Sequence, residues 1–225
     1  MSEYIYRLIA QGEHQQLDFK FEISDSRKIA RSLVAFANTD GGRLLVGVKD
    51  NGVIAGVRSE EEYYMIEAAA QLYCKPEIYF QTKEWDVEGK LVLEVIVPKS
   101  MKQKHKAHFK DEEYKIYVRV KDKNLLASTL LLQVWKRESS KVPVKVSFTT
   151  TEMMLLKHLS DHNRITENEF VTLAGIKKRK GEAILADFIL LRIIKMNMNE
   201  KEVYFTLIDQ NFLETVNLKK NGYFR

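Results

Sequence analysis

The 225-residue sequence contains a single cysteine, Cys74, so it cannot close an internal disulfide and suits a reducing compartment. No apolar run approaches the ~20 residues that a membrane-spanning helix needs. The N-terminus lacks the basic-then-apolar layout of a secretory signal. Together these absences give the expectation of a cytoplasmic protein with no membrane partner. Neither Gly-x-x-x-x-Gly-Lys nor Gly-x-Gly-x-x-Gly occurs, which removes local support for ATP or dinucleotide binding. Five histidines and one cysteine show no zinc spacing. His158 and His162 lie four apart, but the pattern ends a helix between them, which argues against a metal pair. No cofactor is expected on these grounds. Internal repeats and low-complexity tracts are also lacking.

What is present suits a folded protein. Hydrophobic residues make up 45% and charged residues 30%, with room for one large domain or two ordinary ones. The net charge of +5 leans toward polyanion partners only weakly, because 36 cations face 31 anions. Their distribution therefore matters more than their sum.

The most informative stretch is 35–52, Ala-Phe-Ala-Asn-Thr-Asp-Gly-Gly-Arg-Leu-Leu-Val-Gly-Val-Lys-Asp-Asn-Gly. Asn38, Thr39 and Asp40 compete with the helical backbone, and Gly41-Gly42 can take the left-handed conformation that ends a helix. Leu44-Leu45-Val46 has the character of a strand buried on both faces. Asn51-Gly52 predicts a two-residue hairpin turn, with residues 53–57 returning as the partner strand.

Along the rest of the chain, the pattern predicts a short amphipathic helix over 1–12, a half-buried strand over 17–21 and a helix from about 26 to 38. Ser59-Glu60-Glu61-Glu62 resembles a capping box for a helix reaching Leu72, which Lys75-Pro76 stops. Strands follow over 78–85 and 90–97, then a polar loop over 98–110, a strand over 114–120 and a helix over 125–136. Residues 138–148 read as a linker between a domain of 1–137 and one of 149–225. The second domain shows helices over 150–159, 167–174 and 177–194, and closes with a strand over 201–208. Residues 195–200 supply its hairpin partner or the turn before it. Three helices and a β-hairpin are the layout of a winged helix-turn-helix.

The first domain resembles the Schlafen-type AlbA-like domain family. The likeness rests on Glu13…Leu17-Asp18-Phe19-Lys20, on 35–42, on 45–52 with Gly56-Val57, and on Val97-Pro98 and Tyr117-Val118-Arg119-Val120. It covers roughly residues 10 to 130. It implies an α+β fold, a mixed sheet with flanking helices, and a nucleic-acid partner. Some members of the family bind a divalent metal through three carboxylates and cleave RNA. Glu13, Asp18 and Asp50 stand at such positions, where hard oxygen ligands suit Mg²⁺ or Mn²⁺.

Two basic clusters stand out from the residues themselves. Lys99, Lys102, Lys104, Lys106 and Lys110 lie on one stretch with His105 and His108 and no acid, able to neutralise phosphates or simply to face water. Lys177-Lys178-Arg179-Lys180 open the third helix of the second domain, where a recognition helix meets DNA. The leading expectation is a DNA-binding transcriptional regulator acting as a homodimer, with DNA favoured over RNA. Its contacts would come from Lys20, Arg43, Lys102, Lys104, Lys106, Arg119, Lys177, Lys178, Arg179 and Lys180. The alternatives are a metal-dependent ribonuclease using Glu13, Asp18 and Asp50, and a protein–protein adaptor.

Overall fold

The computed structural model describes residues 2–140, 143–144 and 148–213, and the chain divides into two compact units between Ala127 and Ser128. In the first unit, α1 (Ser2–Ile9) is followed by β1 (Leu17–Lys20), α2 (Ser26–Asn38), β2 (Gly42–Val46) and α3 (Glu61–Leu72). Then come β3 (Cys74–Lys75), β4 (Gln81–Val87), β5 (Lys90–Val97), β6 (Lys106–Lys110), β7 (Glu113–Lys115), β8 (Tyr117–Val120) and β9 (Lys123–Leu126). The main sheet has the order β1-β2-β5-β4, with β1 parallel to β2 and the other pairs antiparallel. A second sheet has the order β3-β6-β7, and β8 pairs with β9.

The main sheet is covered on both faces, as the unbroken apolar run of β2 requires. Leu44 and Val46 join Leu93, Val95 and Val97 in a core closed by α2 and α3. Leu45, one residue out of phase, joins Val92, Phe19 and Ile5 of α1 in another. Asp25 caps α2 by accepting from the Arg27 N–H at 2.8 Å. Gly41, at φ +70°, makes the turn out of α2, where an added Cβ would meet the Val97 carbonyl oxygen at 2.8 Å.

Several expectations change. Residues 53–57 do not form a strand: Val48 and Ile54 make one isolated bridge, and β5 is the antiparallel neighbour of β2. The reason is Gly47, whose φ of +90° breaks the strand where the chain passes Gly56 at close range. The expected polar loop over 98–110 contains β6, whose Ala107 is pinned in the core. The expected strand over 114–120 is two strands, and the start of the expected 125–136 helix is β9.

The second unit holds α4 (Thr129–Ser139), α5 (Thr150–His162), β10 (Ile165–Thr166), α6 (Glu167–Ala174), α7 (Lys178–Leu190), β11 (Ile194–Met198) and β12 (Val203–Leu207). Helix α4 belongs here, ahead of the boundary expected at 137. Thr129 and Gln133 donate to the Glu182 carboxylate of α7 at 2.6 and 3.1 Å, and Arg137 pairs with Asp187. The expected linker lies partly outside the described residues. Strand β10, between α5 and α6, joins β12 and β11, which follow α7, in one antiparallel sheet of order β10-β12-β11. This unit holds two capping boxes, Thr149 with Glu152 at α5 and Thr166 with Glu169 at α6. Helix α5 runs through His162, past the expected end, and the rings of His158 and His162 stack at 4.3 Å.

Candidate nucleic-acid interface

Helix α6 ends at Gly175, left-handed at φ +60°, and α7 begins two residues later behind Lys177. Gly181 lets the two helices approach closely, since a Cβ there would meet Val171 Cγ2 at 2.7 Å. Gly181 and Glu182 are buried, whereas Lys177, Lys178, Arg179 and Lys180 all face solvent. The basic turn is therefore the exposed end of a helix anchored by its next turn. Lys178 lies 3.4 Å from Glu167, while no carboxylate among the described residues pairs with Lys177, Arg179 or Lys180. No acid occupies the first turn of α7, so four cations meet the positive end of its dipole.

In the first unit the expected contact residues separate into two groups. Lys102 and Lys106 are exposed, the latter on β6. Lys104 is half-buried, with Nζ 3.5 Å from the Asn38 carbonyl. Arg43, Lys20 and Arg119 each pair with a carboxylate, but only Arg119 lies inside the fold; the Arg43 and Lys20 side chains stay 43% and 34% exposed. Arg43 pairs at 3.0 Å with Glu94, a wholly buried carboxylate that also accepts from Tyr4 at 2.7 Å and Trp85 at 2.9 Å. Lys20 lies 3.2 Å from Asp18 and 4.0 Å from Glu13.

Arg119 is the clearest correction. Its side chain is 1% exposed and pairs with Asp18 at 3.3 Å. Its guanidinium donates to Leu17 O, His14 O and Asn124 Oδ1 and lies over the Phe36 ring. Strand pleat explains this: every residue of β8 is buried, leaving no outward face for a cation. Arg119 serves the core and cannot reach a phosphate.

The three carboxylates are not assembled. Glu13 and Asp18 face each other, and the Glu13 carboxyl is pushed up to about 7, by burial first and by its hydrogen bond to Asp18 second. The Phe19 N–H and Lys20 pull it back. Asp50 lies exposed in the turn beyond Gly47. Among the described residues no three His, Cys, Asp or Glu side chains converge to hold a metal ion. Cys74 is buried and its thiol is pushed up to about 12, which leaves it inert.

The Asn38-Thr39-Asp40 run works as a clasp. Asn38 donates to the His105 and Tyr117 carbonyls, both at 2.9 Å, and accepts the His105 N–H at 2.8 Å. Thr39 accepts from the Arg119 N–H at 2.9 Å, and Asp40 pairs with Lys99 at 3.5 Å. Sequence reasoning passed over a second basic group, Arg27, Arg31 and Lys75, set among Tyr73, His108 and Tyr114. Scattered over α2, β3, β6, β7 and the residue after α3, these residues form no run along the chain.

Among the described residues no helix is long and apolar enough to cross a membrane. Comparison with curated proteins finds no match. Among solved structures, the chain is similar to the DIP2311 protein of Corynebacterium diphtheriae, at 16% identity and a TM-score of 0.45 over 94% of this chain. It spans 44% of that protein. The N-terminal domain of a RecG-related protein of Nitrosomonas europaea is matched at 23% identity and a TM-score of 0.35, over 44% of this chain and 73% of the other. A MarR family transcriptional regulator of Silicibacter pomeroyi is matched at 14% identity and a TM-score of 0.29, over 41% and 65%. The family model described as Schlafen, AlbA_2 matches residues 13–128, more than half of the sequence and nearly all of the first unit. The chain belongs to the Schlafen AlbA_2 family.

Proposed function

We propose that the chain binds nucleic acid and regulates transcription, with the second unit reading duplex DNA as a winged helix-turn-helix. In this reading α7 is the recognition helix, α6 its support and the β11–β12 hairpin the wing. The observation that carries it is the first turn of α7, four exposed cations in succession at the positive end of a helix. Without an anion, each cation there costs a few tenths of a kcal/mol. A phosphate removes that penalty and meets free backbone N–H groups as well. A helix of this kind fits the wide major groove of B-DNA and not the narrow one of A-form RNA, which favours DNA. Membership of the AlbA_2 family supports the same class of partner. A homodimer would present two such helices to a two-fold site.

The test is fluorescence anisotropy with a labelled mixed-sequence duplex, comparing the wild type with a Lys177→Gln, Arg179→Gln, Lys180→Gln variant. The substituted side chains are exposed, so the fold should survive. The expected result is affinity lowered at least about tenfold, since several phosphates lose their cation at once. Equal affinity in both proteins overturns the reading.

A further inference from the structure

A chain of ring and cation contacts crosses one side of the first unit. The Tyr73 ring, just after α3, meets His108 of β6 edge-on at 5.9 Å, and His108 meets Tyr114 of β7 edge-on at 5.5 Å. Each end carries a cation: Arg27 of α2 lies over Tyr73 at 5.5 Å, and Lys75 of β3 lies over Tyr114 at 4.2 Å. Arg31, one turn along α2, lies over Tyr117 at 5.9 Å. His108 leaves its Nδ1 without a hydrogen-bond partner.

Two like charges face each other on this side. Lys75 and Lys106 stand directly opposite each other in the antiparallel β3–β6 register. Like charges so placed repel and destabilise the pair. No carboxylate among the described residues forms an ion pair with either lysine, or with Arg27 or Arg31. Of the exposed acids near these elements in the chain, Glu113 pairs with Lys115 at 3.5 Å, and Glu77, Asp111 and Glu112 form no ion pair with the four cations. An anion seated between Lys75 and Lys106 would relieve the repulsion, and the three half-exposed rings beside it offer stacking surface. Alternating cations and aromatic rings are what a single-stranded polynucleotide requires, with phosphates on the former and bases on the latter.

We propose that this side of the first unit, built on Arg27, Tyr73, Lys75, Lys106, His108 and Tyr114, binds a single strand of DNA or RNA. The proposal rests on the reading of the chain as a nucleic-acid binder, but uses a different unit and a different form of the ligand. Phosphates sit at the Lys75–Lys106 pair and at Arg27, and bases stack on Tyr114 and Tyr73 in place of the cations now over them.

The experiment is fluorescence anisotropy of the full chain with labelled oligo(dT), oligo(U) and a mixed duplex, across a salt series, with polyglutamate as competitor. Lys75→Gln with Lys106→Gln should weaken single-strand binding and make the salt slope shallower by about 1.4, about 0.7 for each phosphate no longer neutralised. Tyr114→Ala should weaken it about 5- to 150-fold, and Tyr114→Phe should keep it. Circular dichroism melts confirm that each variant is folded. Duplex binding should persist in these variants, and single-strand binding should persist in the α7 variant. The oligo(dT) and oligo(U) arms tell DNA from RNA, and either supports the proposal. Three results overturn it: no saturable single-strand binding by the wild type, unchanged binding in the lysine variant, or displacement by polyglutamate as effective as by unlabelled strand. Loss of duplex binding alone would count against the α7 reading and leave this one standing.

Discussion

Arg119 Nη2 lies 3.3 Å from Asp18 Oδ1, with side-chain exposures of 1% and 5%. Burying a pair this deep carries a desolvation cost, so removing one partner leaves a poorly compensated charge in the core. Arg119→Met removes the buried partner of Asp18, leaving only Lys20 at 3.2 Å, and strips the guanidinium's bonds to Leu17 O, His14 O and Asn124 Oδ1. The expected loss is about 3–5 kcal/mol of stability, read from urea unfolding. Binding by the fraction still folded should keep the wild-type salt slope, because Arg119 touches no phosphate.

Glu13 gives the fold a pH dependence of known sign. Its carboxyl sits at about 7 in the folded chain against an ordinary 4.5, with burial the larger cause and the hydrogen bond to Asp18 the next. A raised value means that folding favours the protonated form. That contribution is fully present below about 4.5 and is lost as pH climbs through about 7. Relative to Glu13→Gln, the wild type should lose on the order of 2 kcal/mol between pH 4.5 and pH 8, after allowance for partial solvent exposure. Denaturant midpoints across that range check it, and parallel curves for the two proteins would contradict it.

The two glycines after α2 do different work. Gly41 is held at φ +70° with a carbonyl oxygen 2.8 Å from where a Cβ would sit, so Gly41→Ala meets strain and collision at once. Gly42 lies against the Phe36 ring, 2.3 Å from the position of an added Cβ. Each substitution should cost about 1–3 kcal/mol, visible as a lowered melting temperature.

Asp50 should tolerate removal. It is exposed and stands apart from the Glu13–Asp18 pair. Asp50→Ala is expected to change stability by less than about 0.5 kcal/mol and to leave nucleic-acid affinity unaltered. Metal-dependent cleavage of RNA by the wild type, abolished in this variant, would contradict that placement.

Much of the first unit was legible because its signals are local. The apolar run 44–46, the glycine pair and the helix before it each follow from side-chain size and backbone freedom. The Thr166–Glu169 capping box of the second unit was equally plain, as were α6, Gly175 and α7, whereas the cap of α5 is Thr149, one residue before the expected Thr150. Pairing over long separations was not legible. Asn51-Gly52 is a sound turn signal, yet Gly47 breaks the strand before a hairpin can form, and β5, some forty residues on, takes the partner position. Charge was misread for a related reason. Arg43 and Arg119 look like surface cations in sequence, but their carboxylate partners, Glu94 and Asp18, lie far off in the chain, whereas an Asp18–Lys20 pair was legible from their spacing. The cations of α7 were legible as a run, and their shared exposure follows from the helix end standing clear of the core that Gly181 and Glu182 enter.

The central claim is that the exposed cations of α7 meet the phosphates of duplex DNA. Its most direct test is the slope of log affinity against log salt for a mixed duplex, measured on the wild type and on the Lys177→Gln, Arg179→Gln, Lys180→Gln variant. A steep wild-type slope that becomes shallower by about 2–3 in the variant is the predicted result. A wild-type affinity indifferent to salt, or slopes that coincide, would contradict the account.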